Sequence, residues 1–375
     1  MDRRSFTKLL GSVAIAYNPG LKALVSGDRV VVVGAGIVGS SIAYHLTKMG
    51  AAVTVIERDR PAAHASGRSF AWINASYPKK PYSYHHLSQL SLLAYHRLET
   101  EINIDVHWGG SLEWFASQEN QKMLEQEIEI QQGYGVPVQM ISGEQAHELE
   151  PNVEFDKNAS IAFSKLDGAV DAVGVVDKFL RKTISLGSEV LYPVTYKSLK
   201  VVRNKIVAVR TSVGEIETDQ VVFACGVDTD ELLKINVLKI SRPGIILRTQ
   251  PMKKVIDRVI VAPGVHIHQQ HDGKVVIGEQ AGVPISHLNR LAMKPESFPS
   301  AAFEMQHSER ILAIAQKFVP QLETIELEQV VIGWRPLPHD ERPVVGHVKN
   351  IPGAYLATMH SGVTVHGCKI SSGDI

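Results

Sequence analysis

An α/β fold with a mostly parallel sheet, extended by a second α+β domain, is predicted by three observations near the start of the chain and by its length. Residues 29–33, Arg-Val-Val-Val-Val, form a compact β-branched run of the kind found in strands buried on both faces. Gly34-Ala35-Gly36-Ile37-Val38-Gly39 follows at once, and residues 40–49 then carry a helical pattern closed by Gly50. A second apolar run, 52–56, ends in Glu57. At 375 residues the chain exceeds what one hydrophobic core usually supports, so two domains are expected.

Strand, glycine-rich turn, helix and strand in this order, with an acid about 20 positions on, make a dinucleotide-binding βαβ unit and hence a Rossmann-like domain. Gly34 permits the tight turn out of the strand. Gly36 lacks a side chain, so the backbone can approach a pyrophosphate, and Gly39 lets the helix pack closely on the sheet. The helix N-terminus supplies free N–H groups and partial positive charge. Glu57 is placed to accept hydrogen bonds from ribose hydroxyls. FAD and NAD share the ADP half, so this motif alone leaves both open.

Lys plus Arg number 39, as do Asp plus Glu, and a formal net charge of zero removes any bulk electrostatic case for binding nucleic acid or an anionic membrane. No stretch of sequence is long and apolar enough to span a bilayer. The two cysteines, Cys225 and Cys368, are far apart and form no metal-spaced set, so neither a disulfide framework nor a zinc site is expected. Arg3-Arg4-Ser5-Phe6-Thr7-Lys8 precedes a short apolar run, 9–17, and resembles a twin-arginine export signal. Residues 1–27 are therefore expected to be a leader directing a folded protein to the periplasm, or else a cytoplasmic overhang; Ala23-Leu24-Val25-Ser26 is a poor cleavage site.

Beyond Glu57 the chain runs through Arg58 and Asp59 to Ala65-Ser66-Gly67-Arg68-Ser69-Phe70-Ala71-Trp72-Ile73-Asn74. A Ser-Gly pair so soon after the ribose acid is not a feature of simple NAD domains. It resembles the flavin-contacting loop of the D-amino acid oxidase, glycine oxidase and sarcosine oxidase superfamily. The resemblance extends from residue 29 to residue 364 and implies FAD as cofactor. Around the βαβ unit it implies cofactor contacts from Gly34, Gly36, Ile37, Val38, Gly39, Glu57, Arg58, Ser66, Gly67, Arg68 and Ser69. Gly168-Ala169-Val170-Asp171 and the helical pattern 175–184 resemble the family's central segment, with Ala172 where proline is common. Leu191-Tyr192-Pro193-Val194 resembles the strand whose valine meets the adenine, here Val194. Val221-Val222-Phe223-Ala224-Cys225-Gly226 resembles a second FAD-contact strand and brings in Cys225 and Gly226.

The family's organisation implies a discontinuous FAD-binding domain, 28–104, 157–238 and 329–375, and a substrate domain, 105–156 and 239–328, built on a largely antiparallel sheet. Strand-like runs at 106–115, 244–249, 264–269 and 274–278, with helices at 120–132 and 304–318, suit that second domain. A small-molecule pocket belongs at the interface.

Gly333-Trp334-Arg335-Pro336-Leu337-Pro338, with Asp340, Arg342-Pro343 and Gly346, resembles the family's Arg-Pro-x-x-x-Asp-x-x-Pro-x-x-Gly segment. The resemblance implies that Arg335 holds a substrate carboxylate; the alternative is a structural arginine paired with Asp340 or Glu341. Residues 354–359 read as a last strand, and His360-Ser361-Gly362-Val363-Thr364 resembles the closing flavin loop. In His266-Ile267-His268-Gln269-Gln270-His271, strand alternation puts His266 and His268 on one face. No carboxylate or thiolate cluster accompanies them, so a polar wall of the substrate pocket is expected there rather than a metal site. Family members often carry an aromatic near His266, which leaves the substrate open. Family chains usually continue after the flavin loop into a helix, whereas 365–375 has no helical periodicity, so an inactive flavin-binding scaffold stays open as well. The activity implied is oxidation of the C–N bond of a small amino acid or amine by hydride transfer to flavin, giving an imine that hydrolyses. Electrons would pass on to oxygen in an oxidase, or to a quinone or partner subunit in a dehydrogenase.

Overall fold

Two large sheets organise the chain, and the computed structural model describes residues 27–74, 82–239, 243–279, 305 and 307–358. The first sheet has six strands in the spatial order Val344–His347, Ala354–Thr358, Gln220–Phe223, Arg29–Val33, Ala52–Ile56 and Glu189–Leu191. All pairs are parallel except the edge strand Val344–His347. Parallel strands need both faces covered, and the all-valine centre of Arg29–Val33 meets that need. Val30 and Val32 pack with Ile42, Leu46, Val176 and Phe179 of the helices Ile37–Lys48 and Ala172–Ser185. Val31 and Val33 face the opposite way, into a core with Ile206, Val209, Val221 and Phe223. The helix Ile37–Lys48 begins three residues before the predicted pattern, because Gly36 serves as its N-cap in extended conformation. Asp171 caps the helix Ala172–Ser185 by accepting from the Val173 and Gly174 amides at 3.0 and 2.9 Å, which places Ala172 at the first helical position, the site that proline favours.

The second sheet has eight strands in the order Leu327–Gly333, Gly244–Thr249, Val275–Glu279, Val265–Gln269, Val259–Ala262, Ser111–Glu113, Ser160–Ser164 and Val138–Ser142. It is antiparallel apart from the pair Val259–Ala262 with Ser111–Glu113. One face carries Ile245, Leu247, Ile260, Val265, Ile267 and Ile277, which pack with Ile311 and Ala315 of the helix Ser308–Phe318. Ile246, Val276 and Val331 on the other face receive Phe70 from the first sheet's loop.

Strand partners, not nearness in sequence, decide membership of a sheet. Ser160–Ser164 and Leu327–Gly333 lie in or across segments 157–238 and 329–375, expected with the nucleotide sheet, yet both hydrogen-bond into the eight-stranded sheet. The run predicted at 106–115 divides at Gly109-Gly110. Val106–His107 pairs with Gly168–Val170 in a three-stranded sheet, and Ser111–Glu113 joins the eight-stranded one. The predicted helices 120–132 and 175–184 are Gln118–Gly133 and Ala172–Ser185. Among the described residues no helix is long and apolar enough to cross a membrane. The leader-like residues 1–26 lie outside the described residues, as do 359–375 with the loop His360, Ser361, Gly362, Val363 and Thr364, and Cys368.

Candidate active site

A cavity of about 850 Å³ runs from the glycine turn of the first sheet to the face of the second. At its nucleotide end Gly34 takes φ +108° as the chain leaves Val33, and a Cβ there would lie 2.4 Å from the Ala224 carbonyl oxygen. Gly39 sits under the turn, where a Cβ would lie 1.9 Å from the Gly34 oxygen; it does not reach the cavity but lets the helix start against it. Gly36 lines the cavity, and a Cβ there would project to within 3.2 Å of Ser66 Oγ, filling the cradle. Ile37 and Val38 of the first helical turn also line it. The Ile37 amide donates to Ser66 Oγ at 2.9 Å, so the loop caps the helix that the sequence left open.

Glu57 is buried at the end of the second strand. Its Oε2 accepts from the Ala35 amide at 2.9 Å and its Oε1 from the Asp59 amide at 3.0 Å, which fixes the carboxylate while leaving each oxygen a lone pair toward the cavity. Arg58 pairs with Asp228 at 2.9 Å across the cavity mouth. The Val194 amide donates to the Glu57 carbonyl at 2.7 Å, which brings Val194 to the cavity wall. Cys225 Sγ–H donates to the Val33 carbonyl at 3.5 Å, and the surrounding protein pushes its thiol pKa up, so it lines the cavity as a small, half-buried hydrophobe beside Gly226.

The Ser66–Ser69 loop is held from within and from the second sheet. Ser69 Oγ donates to the Ser66 carbonyl at 3.0 Å, and the Arg68 guanidinium reaches the Ile332 carbonyl at 3.0 Å. Ser66, Arg68 and Ser69 line the cavity, whereas Gly67 faces away, with a Cβ only 2.3 Å from the Ala62 oxygen. The Gly67 carbonyl accepts from Arg248 Nη2 at 2.9 Å; burial lowers the Arg248 pKa. Sequence reasoning passed over Arg248, since a lone arginine in an apolar strand gives no sign of what it meets.

Arg335 follows the edge strand Leu327–Gly333 and lines the far end of the cavity. Water can reach it through the cavity, yet surrounding protein pulls its pKa down from the usual arginine value. A Cβ on Gly244 would come within 3.0 Å of its Nη2, so glycine in the neighbouring strand makes room for the guanidinium. Nearby, Asp340 accepts from the Arg342 amide at 3.1 Å, and Glu341 pairs with Lys239.

His266 lines the cavity beside the rings of Phe70 and Trp72, at centroid distances of 5.4 and 6.0 Å. Burial, with the Arg335 charge next, lowers its pKa to about 4, so the ring is neutral at pH 7. His268 shares that strand face but does not join the cavity. Its Nε2 bonds the Phe70 carbonyl at 2.9 Å, and it opens instead on a separate cleft of about 210 Å³ with His107 and His271. Phe70 stands between the two histidines, so period-two alternation gave the right face and the wrong chamber for His268. Phe70 itself rests on Gly278, where a Cβ would lie 3.2 Å from its ring. An isolated glycine in an apolar strand is the signal that could have shown this approach. Tyr84, also missed, lines the cavity with its pKa raised to about 12 by burial.

Among the described residues a three-donor cluster suited to a cation comprises Glu57, Asp59 and His64, whose ligand atoms lie within 4.8 Å of one another. The Arg58 guanidinium 3.4 Å from His64 Nε2 opposes a cation there. The residues present fit FAD: a glycine cradle that a Cβ would fill, a helix N-terminus beside it, a fixed buried carboxylate, and a cavity continuing to a second sheet.

Comparison with known proteins agrees. The profile of the family described as FAD dependent oxidoreductase (DAO) matches residues 29–368. A glycine oxidase from Bacillus licheniformis is 26% identical over 341 residues, covering 85% of this chain and 84% of that protein. The structure of glycine oxidase from Geobacillus kaustophilus superposes with a TM-score of 0.80 at 20% identity, over 92% of this chain and 93% of that one. That of L-proline dehydrogenase from P. horikoshii gives 0.78 at 22% identity, over 93% and 92%.

Proposed function

Since the chain belongs to the FAD-dependent oxidoreductase family of D-amino acid oxidase, glycine oxidase and sarcosine oxidase, we propose that it oxidises the C–N bond of a small amino acid or amine bearing a carboxylate. The observation that carries this reading is the single cavity with the Gly36–Glu57 cradle at one end and Arg335 at the other. Flavin bound there supplies the two-electron acceptor for the substrate's α C–H hydride.

The chain's own residues do the positioning. The start of the helix Ile37–Lys48, with Gly36 beside it, would hold the pyrophosphate, and Glu57 would take ribose hydroxyls on its remaining lone pairs. Arg335 receives the substrate carboxylate in two parallel charge-assisted bonds, each worth roughly 1.5–3 kcal/mol. Neutral His266 adds no second positive charge and leaves room for an amine. Phe70 and Trp72 present apolar surface that keeps water from the reacting carbon. Holding the substrate in one orientation supplies most of the catalysis, and no dedicated base is required when the amine arrives unprotonated.

The test is the visible spectrum of the purified full-length chain, followed by an oxygen-free screen with glycine, sarcosine, proline and D-amino acids. Bound flavin that bleaches with one of them supports the reading and names the substrate. Flavin that bleaches with none supports the scaffold alternative. Peroxide release on admitting air marks oxygen as acceptor, and its absence marks a quinone or partner protein.

A further inference from the structure

Asp167 lies between the strands Ser160–Ser164 and Gly168–Val170 and is fully buried, yet the reaction above makes no use of its carboxylate. Its Oδ2 accepts from the Trp72 indole Nε1–H at 3.1 Å and from the Ser111 hydroxyl at 2.8 Å, while Oδ1 accepts from the Ser164 hydroxyl at 3.1 Å. Ser111 and Ser164 are direct cross-strand neighbours in the eight-stranded sheet. Trp72 pairs with Ala169 in the three-stranded sheet. One carboxylate therefore ties two sheets together where the cavity wall is made.

Burying a carboxylate is costly unless hydrogen bonds compensate it. An indole N–H can only donate, so it needs a fixed acceptor; Oδ2 supplies it, and the Ser111 and Ser164 hydroxyls hold the carboxylate in place. The indole is thus fixed in direction. Its far side lines the cavity, edge-on to His266 at 75°, with Ala169, Val259 and Val261 packed behind.

We propose that Trp72 is the residue that limits the size of the substituent on the substrate's α-carbon, and that Asp167 is the positioning residue that holds it. The proposal rests on the cavity being the substrate site, as argued above. Released from Asp167, the indole can swing from the wall and admit a bulkier group.

The experiment measures binding of two carboxylate probes, acetate and phenylacetate, to the FAD-loaded full-length chain by ligand-detected NMR, a readout independent of turnover. Wild type is expected to hold acetate at least tenfold more tightly than phenylacetate. Asp167→Ala and Trp72→Phe should each narrow that ratio about tenfold, and the double variant should narrow it no further, because both break one bond. If Asp167→Ala does not fold, Trp72→Phe decides alone, since it leaves Asp167 its two serine donors. An unchanged ratio in the folded variants, additive effects, or equal binding of the two probes by wild type overturns the proposal. Arg335→Ala serves as the separate control. Acetate binding that survives it overturns the clamp while the probe ratio still reads Trp72. A wild type that binds no acetate overturns both.

Discussion

The two ends of the cavity are built in different ways. At the nucleotide end the working parts are backbone: amides of the helix start, the turn at Gly34 and a carboxylate fixed by the Ala35 and Asp59 amides, all within residues 33–59. The substrate end is made of side chains, namely Phe70 from a loop, Trp72 and His266 from two strands and Arg335 from beyond another. Backbone sites tolerate almost no added atom, whereas side-chain sites can change wall by wall. One end can thus stay committed to a cofactor while the other is retuned to a substrate.

The sharpest way to break this comparison is Gly36→Val. Its branched side chain would fill the cradle beside Ser66, and FAD binding is expected to be lost. A yellow, FAD-loaded variant would refute the backbone account. Arg335→Ala comes next. It should raise KM for a carboxylate substrate roughly 100-fold, from the loss of about 3 kcal/mol, with FAD content unchanged. A variant that loses flavin as well would show the two ends to be one unit.

The paired histidines give a pH prediction. Both folded pKa values are lowered to about 4, against an ordinary value of 6.5. The unfolded chain therefore binds protons that the folded one refuses between those values, and stability falls as pH drops through that window. Each histidine contributes at most about 1.4 kcal/mol per pH unit. His268→Asn should flatten the fall in urea midpoint between pH 6.5 and 4.5; an unaltered slope would mean that His268 titrates normally. The smallest effect is expected from Arg58→Gln. It removes a partly exposed pair with Asp228 and should weaken FAD binding by no more than about 1 kcal/mol, measured by flavin release on dilution.

What the sequence made legible follows the same division. The cradle could be read because its parts are consecutive, and glycine at Gly34, Gly36 and Gly39 answers to local sterics. Arg335 was reachable only through a family motif, since nothing within 333–346 reveals that Gly244 clears space for it. His268 was placed in the wrong chamber because alternation fixes a face but not what stands on it, and Phe70 comes from 198 residues away. Asp167 gave no signal, because its donors, Trp72, Ser111 and Ser164, lie in three different strands. The sheet membership of Ser160–Ser164 was hidden for the same reason: it depends on partners far along the chain.

The most direct test of one cavity joining cofactor and substrate is an oxygen-free titration of FAD-loaded wild type and Arg335→Ala with glycine, sarcosine, proline and D-amino acids. At least one should bleach the wild-type flavin at millimolar concentration, with roughly 100-fold more needed in the variant. Equal bleaching of both proteins, or bleaching of neither, would contradict the account.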